Sequence, residues 1–170
     1  MYIVIKFLGL LVLLFLVPTD FLAAQVKQAS TSGLPIPRFV SLRSDKVHMR
    51  TGPGVRYPID WVYIRRNMPM EIVNEFDTWR KVRDYQGTEG WMHQSMLSSQ
   101  RSLAVTGQTR TLRYSADSIS SAVARIEPGT IGQIIQCKSN SGWCFLSFGK
   151  YEGWLRRVEI WGVYSDEKIK

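Results

Sequence analysis

The sequence predicts an all-β protein: two tandem small antiparallel β-barrels after an N-terminal signal sequence. Three observations carry this reading. Landmarks recur in the same order at an offset of 62 to 64 residues. Turn signals punctuate short apolar runs at regular intervals, as in Thr51-Gly52-Pro53-Gly54, Asn67-Met68-Pro69, Glu127-Pro128-Gly129 and Asn140-Ser141-Gly142. No segment of useful length carries an apolar stripe at the 3.6-residue period of a helix. With 45% apolar and 21% charged residues, the 170-residue chain has the composition of a folded protein.

The chain opens with Lys6 near its start, an apolar run from Phe7 to Val17, and Leu22-Ala23-Ala24 before Gln25. That is the layout of a secretory signal, with cleavage expected after Ala24. A retained membrane anchor is the other reading, although the run falls short of the roughly 20 apolar residues a span needs. With residues 1–24 removed, no stable membrane span is expected. The reading places the mature chain in the periplasm or outside the cell. Residues 25–37 form a lead-in linker ending in Leu34-Pro35-Ile36-Pro37.

The first copy is expected over 38–98 and the second over 103–164, leaving 165–170 as a tail. Val47-His48-Met49-Arg50 recurs as Thr111-Leu112-Arg113, and Met70-Glu71-Ile72-Val73 as Gly132-Gln133-Ile134-Ile135. Trp79-Arg80-Lys81-Val82 recurs as Trp143-Cys144-Phe145-Leu146, and Gly90-Trp91-Met92 as Gly153-Trp154-Leu155. Four landmarks in one order indicate an internal duplication of about 60 residues. Each unit is a set of short strands, the pattern of a small barrel. The stretch 118–125 suits either a helical turn or a strand.

Cys137 and Cys144 bracket a turn-like stretch between apolar runs. A disulfide closing that hairpin suits an oxidising compartment. Free thiols are the alternative. Redox catalysis needs closely spaced thiols at a helix start, which the sequence does not offer.

Met49-Arg50-Thr51-Gly52-Pro53-Gly54, then Trp79-Arg80-Lys81-Val82, then Gly90-Trp91-Met92 closing the unit, resembles the bacterial Src homology 3-like domain. The second copy keeps Leu112-Arg113 and Gly153-Trp154-Leu155 but has Tyr114-Ser115-Ala116 where Gly-Pro is expected, so its first turn should differ. Such a tandem resembles short exported proteobacterial proteins without a catalytic domain. The resemblance implies a cell-envelope ligand, peptidoglycan or its peptides. The alternative is an adaptor that holds an extended peptide of an envelope protein, with Leu34-Pro35-Ile36-Pro37 itself able to lie across one barrel. Nucleic acid is not expected, and the oligomeric state is left open.

Strand alternation gives the candidate binding residues. If Val82 and Leu146 point inward, Trp79 and Trp143 point outward. If Met92 and Leu155 point inward, Trp91 and Trp154 point outward, where Trp79 could neighbour Trp91, and Trp143 could neighbour Trp154. An outward aromatic can stack on a sugar ring or a peptide, or it can simply cover the barrel. Arg50, Tyr57 and Trp61 belong to a basic and aromatic concentration of the kind binding patches favour. Alternation requires some of Tyr57, Trp61 and Tyr63 to be core. His48 is expected on the surface. The two histidines and the scattered carboxylates form no recognisable metal set, catalytic dyad or triad. The expectation is a protein that binds rather than catalyses, with no cofactor and no metal.

Overall fold

The computed structural model describes residues 30–170. The expected signal segment lies outside the described residues. In the first copy β1 spans Arg38–Leu42, β2 Val47–Arg50, β3 Ile59–Tyr63, β4 Pro69–Phe76, β5 Trp79–Arg83, β6 Glu89–His93 and β7 Leu97–Ser98. In the second copy β8 spans Ser102–Val105, β9 Arg110–Arg113, β10 Ala122–Ile126, β11 Ile131–Cys137, β12 Trp143–Phe148, β13 Tyr151–Arg156 and β14 Ile160–Trp161. The ambiguous stretch before Ile126 therefore ends as a strand. The sheet orders are β3-β2-β6-β5-β4-β1-β7 and β10-β9-β13-β12-β11-β8-β14, one topology written twice. Single 3-10 turns at Gln94–Met96 and Arg157–Glu159 precede the last strand of each copy.

Alternation builds each core. In β5, Arg80 and Val82 turn inward while Trp79, Lys81 and Arg83 face out. In β12, Cys144, Leu146 and Phe148 turn inward while Trp143 and Phe145 face out. One core joins Leu42, Val47, Met49, Met70, Val82 and Met92. The other joins Leu103, Leu112, Ile134, Leu146, Phe148 and Leu155. Asn67 and Asn140 sit at turns with φ of 60° and 58°, a left-handed conformation asparagine tolerates.

The long hairpins β4–β5 and β11–β12 carry register shifts at equivalent places, between Ile72 and Asn74 and between Ile134 and Gln136. Beyond the shift, Glu75 faces Arg80 in copy one, and Cys137 faces Cys144 in copy two. The two cysteines form the expected disulfide. Each corner is strapped by chain from outside its repeat. The Ser32 N–H and hydroxyl each donate to Glu75, both at 2.8 Å. Ile169 exchanges two backbone hydrogen bonds with Cys137 (2.9 and 3.0 Å). The lead-in is thus held at Glu75 rather than laid across the face that carries Trp79.

The copies pack on each other. Phe39 of β1 meets Trp161 edge-on at 4.8 Å and Tyr164 at 4.6 Å. The Tyr164 hydroxyl donates to Glu71 of β4 (2.9 Å), which also accepts from Arg83 (2.8 Å).

Candidate functional site

The two strands that follow each long hairpin turn bring a tryptophan to the outer face. In copy one, Asp84 Oδ1 accepts the N–H groups of Gln86 and Thr88 (both 2.9 Å) and so fixes the turn between β5 and β6. That turn places Trp79 directly across from His93, and Lys81 across from Trp91. Trp91 is therefore diagonal to Trp79 rather than its partner. In copy two the tighter turn at Gly149 and Lys150 pairs Trp143 with Arg156 and Phe145 with Trp154. The tryptophans of each copy are thus diagonal neighbours on paired strands rather than directly opposed, because the register set by the turns offsets each indole by two residues.

Around Trp79 lies an open cleft of about 510 Å³. Its lining comes from Lys46, His48 and Arg50 at and before β2, from His93, Ser95 and Met96 at and after β6, and from Val55. The Trp79 and His93 rings meet edge-on at 5.5 Å. His93 Nδ1 accepts the Ser95 N–H at 3.3 Å and sits 2.7 Å from the Ser95 hydroxyl, which fixes the imidazole against the indole. Every ionisable side chain that lines this cleft is basic. Arg50 is only partly free for a ligand, since its guanidinium donates to the Tyr57 carbonyl at 2.7 Å and so ties down the loop that follows β2.

The equivalent cleft of copy two holds about 180 Å³. Its lining is the first cleft shifted by 63 residues, so His48 becomes Thr111, Val55 becomes Ser118, His93 becomes Arg156 and Met96 becomes Glu159, while Trp143 stands for Trp79 at 64. Here the Arg156 guanidinium lies over the Trp143 ring, 5.4 Å from its centroid. Glu159 approaches Arg110 at 3.7 Å. The indole face is covered by the protein's own cation, and the wall carries a carboxylate.

Among the other sequence candidates, Tyr57 packs its ring onto Gly52, where an added Cβ would lie 2.4 Å from the ring. In copy two these positions are Ser115 and Ser120, whose hydroxyls bond at 2.8 Å, so the first turn does differ. Trp91 and Trp154 sit on the outer face opposite Arg50 and Arg113. They follow Gly90 and Gly153, where a Cβ would strike Met49 and the Arg113 carbonyl at 2.6 Å. Trp61 is exposed on β3 and apart from either cleft. Of the aromatic trio, Tyr63 packs on the core. Its hydroxyl donates to Asp84 at 2.9 Å, and burial followed by that bond pushes its pKa well above the usual phenol range. Sequence reasoning missed His93 as the neighbour of Trp79. That pairing is set by the length of the 84–88 turn, which strand alternation alone does not fix.

Among the described residues, no group of three or more His, Cys, Asp or Glu is placed to hold a metal ion. Residues 43–99 and 107–162 each match the bacterial SH3 domain. The chain belongs to the bacterial SH3 domain family. Among solved structures, NlpC2 and NlpC1 from Trichomonas vaginalis are similar at 10% and 11% identity, each with a TM-score of 0.34. The alignments cover 74% and 77% of this chain and 48% of each of those, so the bacterial SH3 pair spans about half their length. No curated protein matches the chain.

Proposed function

We propose that this bacterial SH3 pair is an exported, non-enzymatic binding module of the cell envelope that engages peptidoglycan through the Trp79 cleft of its first copy. The single observation that carries the reading is the wide cleft of about 510 Å³ that Trp79 lines together with ionisable groups that are all basic. A flat aromatic offers its face to a pyranose ring. Lys46, His48 and Arg50 are suited to the carboxylates of wall peptides, and the formal charge of +8 assists encounter with an anionic wall. The second copy, with its indole already stacked, acts as the structural companion of the first.

Co-sedimentation of the purified protein with peptidoglycan sacculi, at low and at physiological salt, tests this. Binding is expected to persist at physiological salt and to fall by more than about tenfold in Trp79→Ala, the loss of one hot-spot aromatic. Sedimentation that vanishes with salt, or a folded Trp79→Ala variant that binds like the parent, would leave only charge attraction.

A further inference from the structure

We propose that β3 is a second, separate binding site, a strand-addition edge for an extended partner peptide that is apolar in its middle and acidic at its ends. In the sheet order β3 comes first and pairs with β2 alone, so among the described residues its other backbone edge has no partner. Such an edge templates a further strand unless it is blunted.

This edge is only partly blunted, by Asp60 and by the bulge in its pairing with β2, and the rest of it is apolar. Ile59, Trp61 and Val62 are 44%, 53% and 41% exposed. Copy two is an internal control, because the same fold places a strand at the same edge. Across from Arg113, Leu112 and Thr111 it carries Ala122, Ala124 and Arg125, whereas copy one carries Ile59, Trp61 and Val62 across from Arg50, Met49 and His48. The fold therefore does not require large apolar residues there. Small residues and a charge suffice, and large apolar side chains exposed on both faces of an edge strand, Trp61 on one and Val62 on the other, call for something to cover them.

Charge selects the occupant. Arg56 stands at one end of the strand and Arg65-Arg66 at the other, all three exposed, with Asp60 the one acidic residue of the 55–66 stretch. Among the described residues, none of the three arginines takes part in a salt bridge. A second copy adding its own β3 antiparallel would set Arg56 against Arg65 and Arg66 at both ends. A parallel copy would set like against like. Both arrangements repel, whereas carboxylates at the two ends of a foreign strand meet cations at both. The strand is separated from the Trp79 strand by β2 and β6, and the two sites share only β2, whose His48 and Arg50 line the cleft.

The test uses the full chain and a fluorescein-labelled peptide of about nine residues, valine and threonine alternating between glutamate ends, which at ~3.4 Å per residue reaches from Arg56 to Arg65. Fluorescence anisotropy should show saturable binding. It should weaken at least about tenfold in Trp61→Ala and in the double variant Arg65→Glu/Arg66→Glu, as expected for a central aromatic and its charged rim. A peptide with alternate amides N-methylated, unable to complete the ladder, should not bind. The Trp79→Ala variant should bind the peptide like the parent even where it fails to bind sacculi. Far-ultraviolet spectra and melting temperature report whether each variant folds, and Val62→Lys provides a second block of the same edge. Absence of binding, equal binding of a lysine-ended or N-methylated peptide, or indifference to both Trp61→Ala and Val62→Lys would overturn the proposal. So would a concentration-dependent dimer abolished by Trp61→Ala, or Trp61-dependent binding to phosphatidylglycerol vesicles without peptide binding. These last outcomes would assign the edge to a second copy or to a lipid surface.

Discussion

At the far end of the long hairpin, copy one sets Glu75 across from Arg80 where copy two sets Cys137 across from Cys144. Both corners bury the pair, and both receive a strap from chain outside the repeat. Glu75 accepts from Arg38 and Ser32 and lies 3.2 Å from Arg80, its side chain sealed from solvent. The disulfide corner instead takes the Ile169 backbone and lies next to Arg157, whose guanidinium donates to the carbonyls of Lys138, Ser141, Tyr164 and Glu167. One fold position can thus be closed by ionic or by covalent chemistry. The difference is in how each fails. An ion pair that loses one member leaves the other charge buried, while a broken disulfide leaves two small apolar thiols that still pack.

The largest effect is therefore expected from Glu75→Ala. It leaves Arg38 and Arg80, with side chains 16% and 6% exposed, facing a cavity without their carboxylate. Breaking such a pair costs about 3–5 kcal/mol, read as the fall in unfolding free energy in urea. Replacing both Cys137 and Cys144 by alanine releases an 8-residue loop and should cost less, about 2–3 kcal/mol. If the order is reversed, the ionic corner is peripheral to stability and the comparison fails.

Acid provides a gentler probe of the same contrast. Burial by itself would raise the Glu75 carboxyl, but the Arg38 hydrogen bond and the Ser32 N–H and hydroxyl outweigh it and hold the group below its ordinary 4.5. A depressed folded pKa means the unfolded chain binds the proton first. The contribution is complete above 4.5 and is lost as pH falls through the lower folded value. Glu167 behaves alike: burial raises it, while Arg101 and the Tyr164 N–H lower it further than that. Melting temperature should therefore drop steeply below pH 4.5 in the parent and less steeply in Glu75→Gln. Equal slopes would show that Glu75 is not among the groups that titrate with unfolding.

The two clefts differ as the two corners do. Each keeps its tryptophan on the outer face, but the residue directly across the hairpin decides what that face can do. His93 meets Trp79 in a T-shaped contact, whereas Arg156 lies over the Trp143 ring. Trp79→Ala should cost more than about tenfold in sacculus binding, and Trp143→Ala less than about twofold, because Arg156 already lies over the Trp143 ring. Similar losses from the two substitutions would mean that both clefts bind.

What the sequence made legible follows from local rules. Alternation put Trp79, Trp143, Trp91 and Trp154 on the outer face, and the Gly before each of the latter two marks the close approach of β2 to β6 and of β9 to β13. Two cysteines astride a short turn announced their bond. The pairing of Trp79 with His93 was not legible, since it depends on a five-residue turn in one copy against a two-residue turn in the other. Strand parity is set residue by residue, but register is set by the turn and by the bulges after Ile72 and Ile134. Nor was the exposure of Trp61 legible. It shares parity with Tyr63, which packs on the core, and only the position of β3 at the sheet edge separates their fates.

The smallest expected effect is the most discriminating, because it is a gain. If Arg156 is what closes the second cleft, Arg156→His should rebuild the edge-on arrangement of copy one and free the Trp143 face. The cation–π contact it removes is worth about 0.5–1 kcal/mol at an exposed site, so sacculus binding should rise by only a few-fold. Glu159 would still present its carboxylate to an anionic ligand, and pairing the change with Glu159→Met, the residue copy one carries as Met96, should raise binding further. The gain must disappear when Trp143→Ala is added. If Arg156→His leaves binding unchanged, the stacked arginine is not the lock. The smaller volume of the second cleft, about 180 Å³ against 510 Å³, would then be the feature that keeps copy two silent.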